Sequence, residues 1–132
     1  MARSYEQICP IARTLDVVGD RWTLLIVRDL FFGNARFGEL LEVNEGLPPR
    51  LLSDRLKRLE ERGLVTRTVY RQHPLRAEYH LTEKGRSLAP VLEAIVAWGL
   101  EHTLEPKLRT KVAGYIERRL TEAGLRYPAG SP

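Results

Sequence analysis

LPPRLLSDRLKRLEERG, residues 47–63, is the stretch whose pattern decides the fold. Its two prolines predict the start of a helix, because proline at the first helical position loses no hydrogen bond and already has a helical φ. Gly63 predicts the end, since glycine readily adopts the left-handed conformation that closes many helices. At about 100° per residue, the leucines share one face and polar side chains share the other. The predicted buried face holds Leu52, Leu56 and Leu59, and the outer face holds Arg50, Ser53, Asp54, Lys57 and Glu61.

The residues after this helix predict a β-hairpin. Residues 64–71 are rich in β-branched and aromatic side chains, which favours a strand. A turn is expected at residues 72–76, because Pro74 restricts the residue before it to extended geometry. Residues 77–81 then alternate as a returning strand. A helix followed by a hairpin with a basic tip is the order of elements in a winged helix.

Three more helices are predicted before residue 47. Residues 8–18 form the first, and Asp20 is expected to cap the second, which is apolar on nearly all sides and should therefore be the core. Residues 36–43 form a short third helix, and a turn containing Gly46 joins it to the basic helix. Two helices joined by a short glycine-containing turn are typical of a helix-turn-helix.

Two further helices are predicted after the hairpin. Thr82 is expected to cap a helix that reaches about residues 99–102, with a kink or a break at Pro90. The last helix should cover residues 106–123. These apolar stripes exceed what a compact winged helix needs, so a homodimer is expected. The alternative is that the added helices only fold back on their own domain.

The fold class is therefore mainly α with a small β-hairpin, a winged helix-turn-helix with extra N- and C-terminal dimerisation helices. All 132 residues are expected to form one domain. Its predicted parts are an N-terminal dimerisation helix at 1–19, the helix-turn-helix and wing at 20–82, C-terminal dimerisation helices at 83–126, and a tail at 127–132.

Positive charge is segregated along the chain. The formal net charge is +4, yet residues 50–76 hold eight Arg and Lys against three Asp and Glu, a local excess of +5. A second basic cluster lies in residues 107–126. Positive charge on a helix and the adjoining hairpin is typical of a protein that binds double-stranded DNA. The alternative is a solvated basic face with no partner.

The candidate DNA contacts follow from this arrangement. The second helix of a helix-turn-helix enters the major groove, and a wing reaches the backbone or the minor groove. The N-terminus of the supporting helix also favours phosphate. Arg55 and Arg58 flank the leucine stripe and are expected to meet phosphate or an acidic neighbour. The predicted DNA-binding residues are Arg36, Pro49, Arg50, Ser53, Asp54, Arg55, Lys57, Arg71, His73 and Arg76.

A set of short motifs across residues 9–99 resembles the HxlR family of bacterial transcriptional regulators. The resemblance implies a MarR-like fold and a homodimeric regulator, expected to be a repressor, that binds a pseudo-palindromic operator. Residues 106–132 carry none of these motifs. The matching segments are Cys9-Pro10, Gly19-Asp20-Arg21-Trp22, Arg36-Phe37-Gly38-Glu39-Leu40, Leu56-Lys57-Arg58-Leu59-Glu60, Gly63-Leu64-Val65, Glu78-Tyr79, Leu81-Thr82, Gly85, Pro90-Val91-Leu92 and Trp98-Gly99.

Cys9 is the one cysteine of the chain. It precedes Pro10, so it is expected at the N-cap of the first helix, where the helix dipole favours thiolate. In several HxlR members a cysteine at the matching place senses oxidants or electrophiles, and the resemblance implies the same role for Cys9. Without a second cysteine, switching would need a Cys9–Cys9 bridge across the dimer, a mixed disulfide or an adduct. The alternative is a small buried hydrophobic residue.

Two other functions are left open by the sequence. A small aromatic or phenolic molecule could enter an apolar pocket at the dimer interface, predicted among Trp22, Phe31, Phe32 and Trp98. A protein-interaction module could also reuse the winged helix without DNA, although it would have no need for the local charge of +5.

Other classes of protein are not expected. The three histidines are not at metal-ligand spacing, and the chain has no phosphate loop or nucleophile elbow, so neither an enzyme nor a metal or other cofactor is predicted. No apolar run approaches the ~18–20 residues that span a bilayer. Residues 1–6 lack the pattern of a secretory signal. The expected location is the cytoplasm, on the nucleoid when the chain is bound to DNA.

Overall fold

The computed structural model describes residues 8–128, which form seven helices and one β-hairpin. This confirms the predicted fold class and the predicted order of elements. In chain order the elements are α1 Pro10–Val18, α2 Thr23–Phe31, α3 Phe37–Val43, α4 Pro49–Glu61, β1 Val65–Arg71, β2 Arg76–Leu81, α5 Glu83–Arg86, α6 Ala89–His102 and α7 Pro106–Glu122.

Helix α2 lies at the centre of the core, as its apolar sequence predicts. Ile26 and Val27 are fully buried, and the inner faces of α3 and α4 pack around them. Removing a leucine or isoleucine side chain from water contributes about 1.5–3 kcal/mol, so this cluster is the main stabilising feature. The core side chains are Ile26, Val27, Leu30, Leu40, Leu47, Leu52, Leu56, Leu59, Leu64, Val65 and Leu92.

The hairpin is attached to the start of α3. Strands β1 and β2 pair antiparallel, from Val65 opposite Leu81 to Arg71 opposite Arg76, with an irregularity between Val69 and Arg71. The Tyr79 amide donates a hydrogen bond of 2.7 Å to the Ala35 carbonyl, just before α3. The wing is therefore held against the helix-turn-helix by its own backbone.

A break, rather than a kink, separates the helices after the hairpin. The Thr82 hydroxyl accepts a hydrogen bond of 3.1 Å from the Gly85 amide, so Thr82 caps α5 as predicted. Helix α6 begins at Ala89 with Pro90 in its first turn, a position that proline tolerates. Gly85 allows the close packing here, because a Cβ atom would lie 2.1 Å from the Leu64 carbonyl oxygen.

The C-terminal helices fold back on their own chain in part. Leu100, Ala113, Leu120 and Leu125 are buried within the subunit. Other apolar side chains of the N- and C-terminal segments are exposed in the single subunit: Ile8, Ile11, Leu15, Ile95, Trp98, Leu108 and Tyr115.

The predicted tail at 127–132 is described only at its first two residues. Tyr127 and Pro128 are half-buried, and this burial raises the pKa of Tyr127. Residues 129–132, like residues 1–7, lie outside the described part of the chain. Within residues 8–128, no helix combines the length and the apolar character that crossing a membrane requires.

Candidate nucleic-acid interface

Helix α4 has the two faces that its sequence predicts. Pro49 occupies its first turn after an extended Pro48, and Gly63 follows its end with a φ of +77°. The leucines of the inner face, Leu52, Leu56 and Leu59, are buried in the core. Packing of this face therefore fixes the rotation of α4 about its axis, and that rotation decides which side chains point outward.

The outer face of α4 is open to solvent. Pro49, Arg50, Ser53, Asp54 and Lys57 are all exposed. Neither Arg50 nor Lys57 forms an ion pair with a carboxylate of residues 8–128. Two cations and two hydrogen-bonding side chains thus stand on the first two turns of this helix without a charged partner in that part of the chain.

Arg55 is less exposed than these residues and pairs with an acidic neighbour, which is one of the two partners expected for it, whereas its contact with DNA stays a prediction. Its side chain is only 20% exposed, and its Nε donates to Asp20 Oδ1 at 3.2 Å. Arg58 Nη2 contacts the Asp16 carbonyl oxygen at 3.4 Å, whereas phosphate or an acidic side chain was expected. Both arginines lie beside the leucine stripe, where the start of α2 and the end of α1 are within reach.

Asp20 is the carboxylate that joins α4 to α2. Its Oδ1 accepts hydrogen bonds from the amides of Trp22 at 2.9 Å and Thr23 at 3.1 Å, and its Oδ2 accepts from the Thr23 hydroxyl. The predicted capping role is confirmed, although regular helix begins at Thr23. Burial by itself would raise the pKa of Asp20, but hydrogen bonds from Thr23, Trp22 and Arg55 outweigh it and lower the pKa to about 2.

The lowered pKa of Asp20 makes the folded state sensitive to acid. A carboxyl whose pKa falls from 3.8 to about 2 on folding stabilises the protein above pH 4, and this contribution is lost as the pH falls towards 2. Allowing for solvent screening, we expect Asp20→Asn to lower the free energy of unfolding by about 1–2 kcal/mol at pH 7. Urea denaturation at several pH values measures this difference. The difference should shrink as the pH falls through 2 and vanish below it, and a difference that stays constant with pH would contradict the assignment.

Arg36 lies at the N-cap of α3, as predicted, and it also contacts the wing. Its Nε donates to Glu78 Oε2 at 3.1 Å, and its guanidinium lies 4.5 Å from the centre of the Tyr70 ring. The hydrogen bond from Arg36, and next that from His80, lowers the pKa of Glu78. The Arg36 side chain remains 54% exposed, so it can hold the wing and still present nitrogen atoms to an anion.

The tip of the wing carries the three exposed side chains expected there, Arg71, His73 and Arg76. A further exposed arginine, Arg67, lines the groove between the wing and α3 together with Arg36 and Arg76. Sequence reasoning did not single out Arg67. Strand alternation alone does not reveal its nearness to Arg36, because that depends on how the hairpin packs against α3.

The comparison with known families agrees with this geometry. The sequence profile of the HxlR-like helix-turn-helix family matches residues 17–107. The chain belongs to this family. An uncharacterized HTH-type transcriptional regulator of Mycobacterium tuberculosis is 46% identical to it over 97 residues, which cover 74% of this chain and 61% of the relative. The HxlR-like chain thus aligns with less than two thirds of that mycobacterial protein.

Solved structures support the same fold. PA1607, a protein of known crystal structure, is 44% identical in sequence to the HxlR-like chain, and the two structures superpose with a TM-score of 0.69. The alignment covers 79% of this chain and 72% of PA1607. The redox regulator HypR is 35% identical in sequence to this chain, and its reduced form superposes on it with a TM-score of 0.62. That alignment covers 72% of this chain and 94% of HypR. The HxlR-like chain accordingly has the winged helix-turn-helix fold of these structures.

The single subunit of this HxlR-like chain does not bring together the four aromatic residues of the pocket predicted at the dimer interface, and that pocket stays a prediction. Trp22 and Phe31 pack against the core, and Trp98 is 63% exposed on α6. Only Phe32 of the four lines the apolar cavity between α2, α6 and α7. The prediction grouped aromatic residues by type, whereas the positions of α6 and α7 separate them.

Cys9 is the N-cap residue of α1, as predicted, with Pro10 at the first helical position. Its carbonyl accepts a hydrogen bond of 2.9 Å from the Arg13 amide, and the residue is half-buried. Across residues 8–128, no three His, Cys, Asp or Glu side chains gather in a way that could hold a metal ion.

Proposed function

We propose that this chain binds a pseudo-palindromic operator as a homodimer and represses nearby genes. The observation that carries the proposal is the exposed face of α4, with Arg50, Ser53, Asp54 and Lys57, beside a basic wing. In a helix-turn-helix dimer, two such helices enter successive major grooves about 34 Å apart. The chain would act in the cytoplasm, on the nucleoid.

Each group on this surface has a role that its chemistry allows. An arginine can bind guanine through two hydrogen bonds, serine can bind either base edge, and aspartate can accept from cytosine or orient a neighbouring arginine. Arg36, the N-cap residue of α3, would contact phosphate. Arg67, Arg71, His73 and Arg76 would bring the wing to the backbone or the minor groove.

The exposed apolar side chains of α1 and α6 support the homodimer. Ile11 and Leu15 on α1, and Ile95 and Trp98 on α6, are all exposed in the single subunit. Ile95 and Trp98 lie in one apolar patch with Pro90, Val91 and Ala94, and exposed patches of this kind mark interaction sites. Most oligomers of one chain are twofold dimers. Residues 1–19 and 83–126 would thus contribute to dimerisation.

Footprinting on DNA that flanks the chain's own gene tests the proposal. A protected site with two half-sites is expected, and sedimentation should give two chains per duplex. If the dimer makes about eight phosphate contacts, the logarithm of the association constant for DNA should fall with the logarithm of the salt concentration at a slope near −7. Absence of any complex at low salt would contradict the proposal and favour a protein-interaction module.

A second proposal is regulation by oxidants through Cys9, supported by its N-cap position and by the likeness to the redox regulator HypR. One Cys9 thiolate of a dimer would attack an oxygen of hydrogen peroxide and break the O–O bond, which leaves a sulfenic acid and, after proton uptake from solvent, one water. The Cys9 thiolate of the other subunit would then displace the sulfenic hydroxyl, which leaves as a second water after taking up a proton, and form one intersubunit disulfide. We expect peroxide to weaken operator binding at least tenfold in the wild type, and dithiothreitol to restore it.

The control for Cys9 is Cys9→Ser, which should bind the operator like the reduced wild type and resist peroxide. Gel shifts measure the binding, and mass spectrometry identifies a Cys9–Cys9 bridge, a mixed disulfide or an adduct. An equal loss of binding in Cys9→Ser under peroxide would rule out this role for the cysteine.

A further inference from the structure

Helix α7 encloses a cavity that the winged helix by itself would lack. The family match ends at residue 107, whereas α7 runs from Pro106 to Glu122. Together with α2 and α6, this helix surrounds a cavity of about 440 Å³. A volume of this order falls in the range of about 300–1,000 Å³ that is usual for small-molecule sites.

The cavity wall is mostly apolar and also carries charged groups. Leu24, Phe32, Ile95, Val96, Ile116 and Leu120 provide apolar surface from all three elements. Arg28, Asp29 and Arg119 also line it. An apolar space with a few charged groups suits a molecule that has a hydrophobic body and one ionised end.

The charges of the wall favour an anion. Buried Asp29 is already neutralised, since its Oδ1 accepts from Arg28 Nε at 2.8 Å and its Oδ2 from Asn44 Nδ2 at 2.6 Å. The Arg119 guanidinium makes weaker contacts within the protein than the Asp29 carboxylate does. Its guanidinium lies 4.4 Å from the centre of the Phe32 ring, and its Nη1 is 3.9 Å from Glu122 Oε2. Arg119 can therefore donate to a ligand while still packing on Phe32.

We infer that this cavity is a binding site for a small apolar carboxylate, an aryl or arylalkyl acid whose body packs on Phe32 and Ile116 and whose carboxylate pairs with Arg119. Bidentate pairing of a guanidinium with a carboxylate is strong and directional. The uncharged amide of the same acid lacks this pair and should bind more weakly.

The cavity is also connected to the turn of the helix-turn-helix. Asn44 is the C-cap of α3, and its Nδ2 donates to Asp29 in the cavity wall and to the Leu40 carbonyl at 2.9 Å. A ligand that displaces Arg28 or Asp29 therefore acts on Asn44, where the turn between α3 and α4 begins. This consequence for DNA rests on the proposed function, whereas binding to the cavity does not.

Isothermal titration calorimetry of the full chain tests the site, with 2-naphthoate and 4-phenylbutyrate as probes and their carboxamides as uncharged counterparts. At least one acid should bind saturably and at least tenfold more tightly than its amide. Arg119→Gln should weaken binding of that acid at least tenfold and leave the affinity for its amide unchanged. Unchanged binding of the amide would also show that the cavity is intact. Arg118→Gln, at an exposed neighbouring position, is the matched control and should bind like the wild type.

Ile116→Trp fills the cavity and should abolish binding of acid and amide, with the thermal midpoint retained. Failure of both acids to bind the wild type, or equal binding by Arg119→Gln and Arg118→Gln, would overturn the site. Gel shifts with the bound acid should show at least a fivefold change in operator affinity. No change there would overturn only the connection to α4, and loss of DNA binding in all conditions would overturn the proposed function but not the site.

Discussion

Replacing Arg50 and Lys57 together by alanine is expected to weaken operator binding by at least about 1000-fold. Both side chains are exposed on the first two turns of α4, and neither is paired with a carboxylate of residues 8–128. A contact to a base or a phosphate contributes about 1–3 kcal/mol, and a dimer loses four of them. Fluorescence anisotropy with a labelled operator at fixed salt measures the loss.

The matched control is Lys107→Ala with Lys111→Ala, which removes the same charge from exposed positions of α7. This variant should keep most of the affinity and change mainly the weak, long-range attraction. The fold should be intact in both variants, because none of the four side chains lies in the core. Equal losses in the two variants would mean that total charge, not the face of α4, determines binding.

Leu56→Ala is expected to have the largest effect on stability, a loss of about 2–5 kcal/mol in the free energy of unfolding. Leu56 is 2% exposed on the inner face of α4, and its truncation leaves a cavity against α2. Domains of this size typically have a free energy of unfolding of about 5–15 kcal/mol, so the variant would retain only part of its stability. Urea denaturation followed by circular dichroism measures the change.

The control for Leu56 is Leu75→Ala, which removes the same atoms from a side chain that is 54% exposed at the tip of the wing. It should cost less than about 0.5 kcal/mol, because the alanine leaves no buried cavity. A destabilisation by Leu56→Ala as small as that of Leu75→Ala would contradict the assignment of α4's inner face to the core.

Local patterns were enough to predict the two faces of α4 and the hairpin. The leucine spacing, the prolines at one end and Gly63 at the other all act within a few residues of each other, so they determine the helix and its rotation towards the core. The same holds for Asp20 and Thr82, whose capping hydrogen bonds join them to residues two or three positions away. The acidic and basic side chains opposite the leucines were therefore correctly predicted to be exposed.

The partners of the arginines depended on the tertiary structure. Arg55 meets Asp20 across 35 positions of sequence, and Arg36 meets Glu78 across 42. The cavity beside Phe32 likewise exists because α7 packs near α2 and α6. Contacts of this kind depend on the angles at which helices pack and on how the hairpin packs against the neighbouring helix. Residue periodicity carries no information about either. The sequence by itself determined which surface of α4 is presented, and tertiary packing alone decided which arginines, such as Arg36 and Arg55, pair with carboxylates far away in the sequence.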